Sequence, residues 1–177
     1  MRRREGVSFV LRGRVWKFGD NISTDLMMPG FIYRQRPDLS YEEVAQYAMH
    51  SNRPAWAQQV KRGDIIVGGR NYGCGSSRLA AGPLKALGIS CVMAESMARV
   101  FFRNSISMGL PVMVARGITS FCEEGDVLQV NIANGQIENL TTRKTMKVDP
   151  MPDDSPPMQI LKSGGLVALL EKEYLKR

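Results

Sequence analysis

Histidine and cysteine, the residues that most often bind metals or form disulfides, are scarce in this sequence. The 177 residues include one histidine, His50, and three cysteines, Cys74, Cys91 and Cys122. An odd number of cysteines without a close pair argues against a disulfide framework and a zinc site. The absence of Cys-x-x-Cys spacing argues against an iron–sulfur cluster bound by this chain. His50 has no nearby nucleophile or ligand partner, so we interpret it as a helix-end residue, and we expect no bound metal.

Long hydrophobic runs and clustered positive charge are also missing. No apolar run approaches the roughly 18 residues of a membrane span. The basic residues 1–5 have no apolar signal segment behind them, so we expect a cytoplasmic protein without a membrane partner. The net charge is +7, but the positive residues are scattered apart from Arg2, Arg3 and Arg4. Because no nucleic-acid-binding motif accompanies the charge, we expect an acidic partner, an anionic substrate or a solvated surface, and no nucleic acid.

The most informative stretch runs from Asp64 to Arg78. It opens with Ile65-Ile66-Val67, which has the length and composition of a buried strand. Two serines and a guanidinium, Ser76, Ser77 and Arg78, close the stretch, and a helix is predicted over Leu79–Leu87 with Gly88 as its C-cap. Four glycines, which permit close approach of the backbone to a ligand, lie between the strand and the serines: Gly68, Gly69, Gly73 and Gly75.

The flanking segments predict a parallel strand–helix core followed by β-hairpins. We see no repeat, low-complexity tract or linker, so residues 1–177 are predicted to form one α/β domain. The predicted strands are 7–18 with a break at Gly13, 89–94, 111–115, 126–132, 136–140 and 145–148, with a hairpin turn at Asn134-Gly135. The predicted helices are 41–49 behind a capping box at Ser40 and Glu43, 97–108, 158–162 and 166–175, the last two separated by Gly164-Gly165.

Two further polar segments have a plain structural interpretation. Ser23-Thr24-Asp25 precedes an apolar triplet, which is typical of a capped turn entering a strand. Arg99 and Arg103 lie four residues apart and share a helix face, so they form either surface charge or a contact to an acidic partner.

The glycine-rich stretch has three possible interpretations, two of them chemical and one purely structural. A phosphate cradle lacks the Gly-x-x-x-x-Gly-Lys-Ser/Thr pattern, and Arg78 stands where the dinucleotide fingerprint needs its third glycine. A tight turn capped by serines needs no ligand. A carboxylate-binding and proton-transfer site would use Arg78 for the carboxylate and loop N–H groups for negative charge. A serine base would then have to be held as an alkoxide by such groups, because free serine is a poor base.

Three segments in register resemble the swivel domain of the aconitase family, and most closely the small subunits of the isopropylmalate-dehydratase type. The resemblance covers roughly residues 10 to 170. The segments are Asn71-Tyr72-Gly73-Cys74-Gly75-Ser76-Ser77-Arg78, Asp20-Asn21-Ile22-Ser23-Thr24-Asp25, and Ala94 to Ser105 continuing through Gly109-Leu110-Pro111.

The resemblance implies a single swivelling β/β/α domain that is active only with a large subunit. That large subunit carries the [4Fe–4S] cluster, and the reaction is the dehydration and rehydration of a hydroxy-acid. By motif position, Ser76 would be the general base. Ser77 and Arg78 would bind a substrate carboxylate, and Thr24 and Asp25 would line the pocket. The family's specificity loop would correspond to Phe31, Ile32, Tyr33 and Arg34.

The implied reaction is the isomerisation of 2-isopropylmalate and 3-isopropylmalate in leucine biosynthesis. Tyr33 stands where relatives often place an arginine for an extra carboxylate, which favours an apolar substituent, although Arg34 is adjacent. The sequence departs from the family pattern after Arg78, because Leu79-Ala80-Ala81 replaces acidic and polar residues and the distance to Gly88 is one residue shorter. Since Pro83 fits a first helical turn, the helix is expected to begin late. Dehydratases of homoaconitate, citramalate or dimethylmalate, and a non-catalytic carboxylate-binding module, are the alternatives.

Overall fold

A computed structural model describes residues 9–75 and 78–174. Within these ranges the chain forms one seven-stranded sheet and eight helices. The strand order is β4-β3-β2-β1-β5-β6-β7. The strands are β1 (Val10–Lys17), β2 (Ile65–Gly68), β3 (Cys91–Ala94), β4 (Val112–Val114), β5 (Val127–Asn131), β6 (Gln136–Asn139) and β7 (Lys144–Lys147). The helices are α1 (Thr24–Met27), α2 (Gly30–Gln35), α3 (Tyr41–Ala45), α4 (Ala81–Leu87), α5 (Arg99–Ser107), α6 (Ile118–Phe121), α7 (Pro156–Ser163) and α8 (Leu166–Tyr174).

The sheet is parallel on one side of β1 and antiparallel on the other. Strands β1 to β4 pair in parallel, with α4 and α5 as the crossovers between β2, β3 and β4. Strands β5, β6 and β7 pair in antiparallel fashion, and β5 also pairs with β1. Parallel strands end at the same edge of a sheet, so the loops that follow β1 and β2 lie side by side.

Two hydrophobic clusters cover the two faces of the parallel strands. Every residue of β2 and β3 is buried, as expected for strands covered on both faces. Successive side chains alternate between the clusters, with Trp16 and Ile66 in one and Val15, Ile65 and Val67 in the other. This double coverage fixes the strand ends from which the site loops start.

In the antiparallel half of the sheet, burial follows the alternation of apolar and polar residues in the sequence. Strand β5 alternates between buried and half-buried residues, and it returns as β6 through a turn at Asn134 and Gly135. Gly135 has a φ of +74°, in the left-handed region that suits glycine. The predicted hairpin and the strand after it are confirmed.

Several element predictions need correction. Strand β1 is not broken at Gly13, which pairs with Leu128; a side chain there would overlap the carbonyl oxygen of Gly63, so glycine allows close packing instead of a break. The segment after Ser23 is the helix α1 and not a strand, because Ser23 Oγ accepts a hydrogen bond from Leu26 N at 3.2 Å as an N-cap. Helix α3 ends at Ala45, earlier than predicted.

Helix α4 begins at Ala81 and ends at Leu87, and Gly88, whose φ is +105°, is its C-cap. Pro83 therefore lies in its first turn, and the expected late start is confirmed. Ala80 and Ala81 are buried at 1% exposure, whereas Leu79 is 48% exposed. The two alanines thus join the core, and Leu79 points to solvent.

Candidate functional site

Two loops at the carboxyl edge of the parallel strands are joined to each other by backbone hydrogen bonds. One loop follows β1, spans 18–23 and leads into α1; the other follows β2 and spans 69–75. The bonds, with the donor first, are Gly69 to Gly19 at 3.1 Å, Asn21 to Arg70 at 2.8 Å, Gly73 to Ile22 at 2.8 Å and Thr24 to Cys74 at 2.9 Å. The pairing brings the Thr24-Asp25 motif against the glycine-rich motif.

Side chains reinforce this pairing. Asp20 Oδ1 accepts a hydrogen bond from Arg70 N at 2.6 Å, and Asn71 Nδ2 donates to Asn21 Oδ1 at 2.9 Å. Ser96, in the loop after β3, accepts from Asn71 N through its hydroxyl at 2.8 Å. Asp20 and Asn21 lie in one of the matched motifs, and Ser96 lies in another. Their presence inside the matched motifs was the signal that they hold the loops.

The glycine-rich loop is anchored in the core by Tyr72. Its ring is fully buried and meets Phe101 edge-on, with ring centroids 5.6 Å apart. Gly73 follows with a φ of +75°, and a side chain there would overlap Phe101. Glycine is required at this position by both its backbone angle and its neighbour.

The first turn of α1 faces the end of this loop. A Cβ built on Gly75 would lie 3.4 Å from Thr24 Oγ1 and 3.9 Å from a carboxylate oxygen of Asp25. Thr24 is 2% exposed, and its hydroxyl has no hydrogen-bond partner among the described residues. A buried hydroxyl without a partner is uncommon and costly.

Arg78 lies close to the same turn. Its Nε is 3.2 Å from Asp25 Oδ1, and its guanidinium carbon is 5.5 Å from the centre of the Tyr33 ring. The Arg78 side chain is 25% exposed. The structure thus brings together three of the residues singled out from the sequence: Arg78, Asp25 and Tyr33.

The predicted specificity loop forms the short helix α2 and presents its four residues in different directions. Ile32 is buried in the core, and Phe31 packs edge-on against Tyr47 at 6.4 Å. Tyr33 is half-buried, and its hydroxyl has no hydrogen-bond partner within the described ranges. Burial and the neighbouring Tyr41 raise the pKa of Tyr33, and Arg78 opposes them. Arg34 is exposed, so Tyr33 is the loop residue found beside Arg78.

Ser76 and Ser77, predicted as base and carboxylate ligand, lie outside the described residues. The chain on both sides of them is described, and Gly75 and Arg78 each adjoin the Thr24-Asp25 turn. The roles of the two serines therefore stay predictions.

The cysteines are free thiols, and burial raises the pKa of Cys91 to about 12 and that of Cys122 to about 11. Cys74 is half-buried in the glycine-rich loop. In the described part of the chain, no group of three or more His, Cys, Asp or Glu side chains is arranged to hold a metal ion. None of the helices described is long and apolar enough to cross a membrane.

The architecture defines an α/β domain with a glycine-rich loop and a held arginine at the carboxyl edge of its parallel strands. The family described as aconitase C-terminal domain matches residues 21–117, which is more than half of the chain and contains every candidate site residue. The chain belongs to this family, as the sequence resemblance predicted.

Relatives of known name match almost the whole chain. The isopropylmalate/citramalate isomerase small subunit of Methanocaldococcus jannaschii is 47% identical over 166 residues, covering 93% of this chain and 95% of that protein. The methanogen homoaconitase small subunit of Methanothermobacter thermautotrophicus is 44% identical over 168 residues, covering 94% and 92%. The crystal structure of 3-isopropylmalate dehydratase from M. jannaschii superposes with a TM-score of 0.86 at 35% identity, covering 95% of this chain and 97% of that one. The predicted fold class is confirmed.

Proposed function

We propose that this chain is the small subunit of a hydro-lyase that interconverts 2-isopropylmalate and 3-isopropylmalate by dehydration and rehydration. The proposal includes a large subunit that carries a [4Fe–4S] cluster, and a cytoplasmic location, which free cysteines fit. Relatives of this length are named as small subunits of such enzymes. The observation that carries the proposal is the guanidinium of Arg78, held beside Asp25 next to the glycine-rich loop.

Arg78 would bind a substrate carboxylate. A guanidinium presents two parallel N–H groups that match the two oxygens of a carboxylate, and such charge-assisted bonds are among the strongest hydrogen bonds in proteins. Thr24 would add its buried hydroxyl, which has no partner among the described residues. Ser77, by motif position, would be a third carboxylate ligand. Together they would fix the acid with its reacting carbons toward the large subunit.

Ser76 would exchange the proton at carbon. A serine can do so near neutral pH only as an alkoxide, which needs N–H groups or cations around it. Arg78, two residues along the chain, supplies a nearby positive charge. The cluster, when bound by the large subunit, would bind the substrate hydroxyl and a carboxylate, and this chain would contribute orientation and the proton.

The arrangement at α2 favours a substrate with an apolar substituent. Tyr33 lies beside Arg78, whereas Arg34 is exposed and has no ion pair in the described part of the chain. An aromatic ring packs well against an isopropyl group, whereas an extra carboxylate would need a cation in its place. A homoaconitase small subunit is nevertheless among the relatives, so homoaconitate is the main competitor.

An anaerobic hydration assay tests the proposal. The chain is mixed with its cognate large subunit, reconstituted with the cluster, and offered isopropylmaleate, citraconate, dimethylmaleate and homoaconitate in separate reactions. We expect isopropylmaleate to be hydrated fastest and Ser76→Ala to abolish turnover. Ser120→Ala, which changes an exposed serine on α6, serves as the matched control and should retain full activity.

The other outcomes are informative. Faster hydration of another acid would overturn the assignment of substrate while keeping the reaction class. A stable complex that hydrates none of them, with carboxylate binding that survives Ser76→Ala, would favour the non-catalytic binding module.

A further inference from the structure

Gly30, the first residue of α2, lies directly against the guanidinium of Arg78. A Cβ built on Gly30 would overlap Nη2 of Arg78 and would lie 3.2 Å from its Cζ and 3.5 Å from its Nε. The three nearest atoms all belong to Arg78. The volume that a side chain at position 30 would take is therefore the volume that the guanidinium occupies.

The backbone of Gly30 does not itself demand glycine. Gly30 is absent from the residues with positive φ, and it begins a helix. Alanine is a better helix former than glycine, so at this position glycine weakens the helix locally. Because the local conformation gives no reason for glycine, the reason must come from the neighbouring Arg78.

We propose that Gly30 is the positioning residue for Arg78. Because Gly30 has no side chain, the space beside it is open, and the guanidinium of Arg78 occupies that space between Asp25 and Tyr33. We call this space the seat of Arg78. The inference depends on the proposed function, in which Arg78 binds the substrate carboxylate. Gly30 has no side chain that could contact the substrate, so its effect on substrate binding passes through Arg78.

The seat can be removed without unfolding the chain. The atom that a new Cβ would strike is the far end of a long, flexible side chain, and the Arg78 side chain is 25% exposed. In Gly30→Ala the guanidinium can swing into solvent, leaving Asp25 and Tyr33. Folding is then nearly unchanged, whereas the carboxylate-binding group is lost from its place.

The kinetic test uses the complex with the large subunit and isopropylmaleate. We expect Gly30→Ala to raise KM at least about tenfold with a smaller change in kcat, since it disturbs binding more than proton transfer. The urea midpoint of the chain should stay the same or rise, because alanine favours the helix. Ser120→Ala, at the exposed serine of α6 outside the candidate site, is the control, and its KM should not change.

A double-mutant cycle shows whether the effect passes through Arg78. In an Arg78→Ala background, Gly30→Ala should add no further rise in KM. An equal rise in both backgrounds would overturn the inference, because it would place the effect of Gly30 elsewhere. A drop in urea midpoint together with lost complex formation would overturn it too, since the role of Gly30 would then be structural.

A spectroscopic readout separates this inference from the proposed function. The Nε–Hε resonance of Arg78 in the full chain, assigned by its loss in Arg78→Lys, reports the guanidinium in its seat. Gly30→Ala should move this resonance to the position of a solvent-exposed arginine, and Ser120→Ala should not. If the parent complex hydrates no acid, the proposed function fails, while the resonance still decides whether Gly30 seats Arg78.

Discussion

The Nε of Arg78 lies 3.2 Å from Oδ1 of Asp25, joining the end of the glycine-rich loop to the first turn of α1. The side chains are 25% and 55% exposed, so water screens the attraction and the pair adds little to the free energy of folding. Its consequence is geometric, because a nearby carboxylate limits the rotamers of a guanidinium that would otherwise have many.

Asp25→Asn should separate orientation from stability. We expect the free energy of unfolding to change by less than about 1 kcal/mol, as for other exposed ion pairs. The KM of the complex for its hydroxy-acid should rise about tenfold, because a guanidinium without a charged partner is less well ordered and a factor of ten corresponds to about 1.4 kcal/mol. Steady-state kinetics and urea unfolding measure the two quantities.

Asp38→Asn is the control for this experiment. Asp38 pairs with Arg36 at 3.2 Å in another exposed ion pair outside the candidate site. Its replacement should leave KM unchanged. A similar rise in KM in both variants would show that the Asp25 effect is not specific to Arg78.

Tyr72→Phe tests whether the loop anchor works by packing alone. The Tyr72 ring is fully buried, its hydroxyl has no hydrogen-bond partner among the described residues, and burial raises its pKa. Removing an unsatisfied buried hydroxyl should leave the unfolding free energy unchanged or raise it by up to about 1 kcal/mol. Tyr72→Ala, which also removes the ring from Phe101, should lower it by about 3–5 kcal/mol.

Urea unfolding of both Tyr72 variants decides the point. A loss of more than about 1 kcal/mol in Tyr72→Phe would mean that the hydroxyl is satisfied in solution. The anchor would then depend on a hydrogen bond and not on packing alone.

Glu95 should make stability depend on pH in the acid range. Its carboxylate accepts hydrogen bonds from Gly117 N at 2.6 Å and from the N and Oγ1 of Thr119 at 2.9 and 2.6 Å. Burial raises the pKa of Glu95, but the bonds from Thr119 and Gly117, with the charge of Arg70, outweigh it and lower the pKa below the ordinary 4.5. A lowered carboxyl pKa stabilises the fold above the unfolded value, and this contribution is lost as pH falls through the folded one.

The free energy of unfolding, measured between pH 6 and pH 3, tests this direction of pH dependence. The parent chain should lose stability as the pH falls below about 4.5, and Glu95→Gln should lose less over the same range. At neutral pH, Glu95→Gln should be less stable by about 1–2 kcal/mol, since it weakens bonds to a charged acceptor. Glu171→Gln, at an exposed glutamate of α8, should follow the parent; parallel curves for the parent and Glu95→Gln would contradict the prediction.

Local interactions allowed the sequence to predict much of the secondary structure. The capping box is formed as expected: Ser40 N donates to Glu43 at 2.9 Å and Glu43 N donates to Ser40 Oγ at 3.3 Å. The hairpin at Asn134-Gly135 and the helix end at Gly88 also follow from residues close in sequence. These devices work through neighbours a few residues away, so the order of residues determines them.

Residues distant in sequence decided the rest. The strand continues through Gly13 because Leu128, far along the chain, pairs with it. Motif resemblance pointed to Arg78, Asp25 and Tyr33, but only the folded chain shows that they meet. The space at Gly30 that receives the guanidinium is also set by tertiary packing, since a side chain's neighbours across a fold depend on how strands and helices come together.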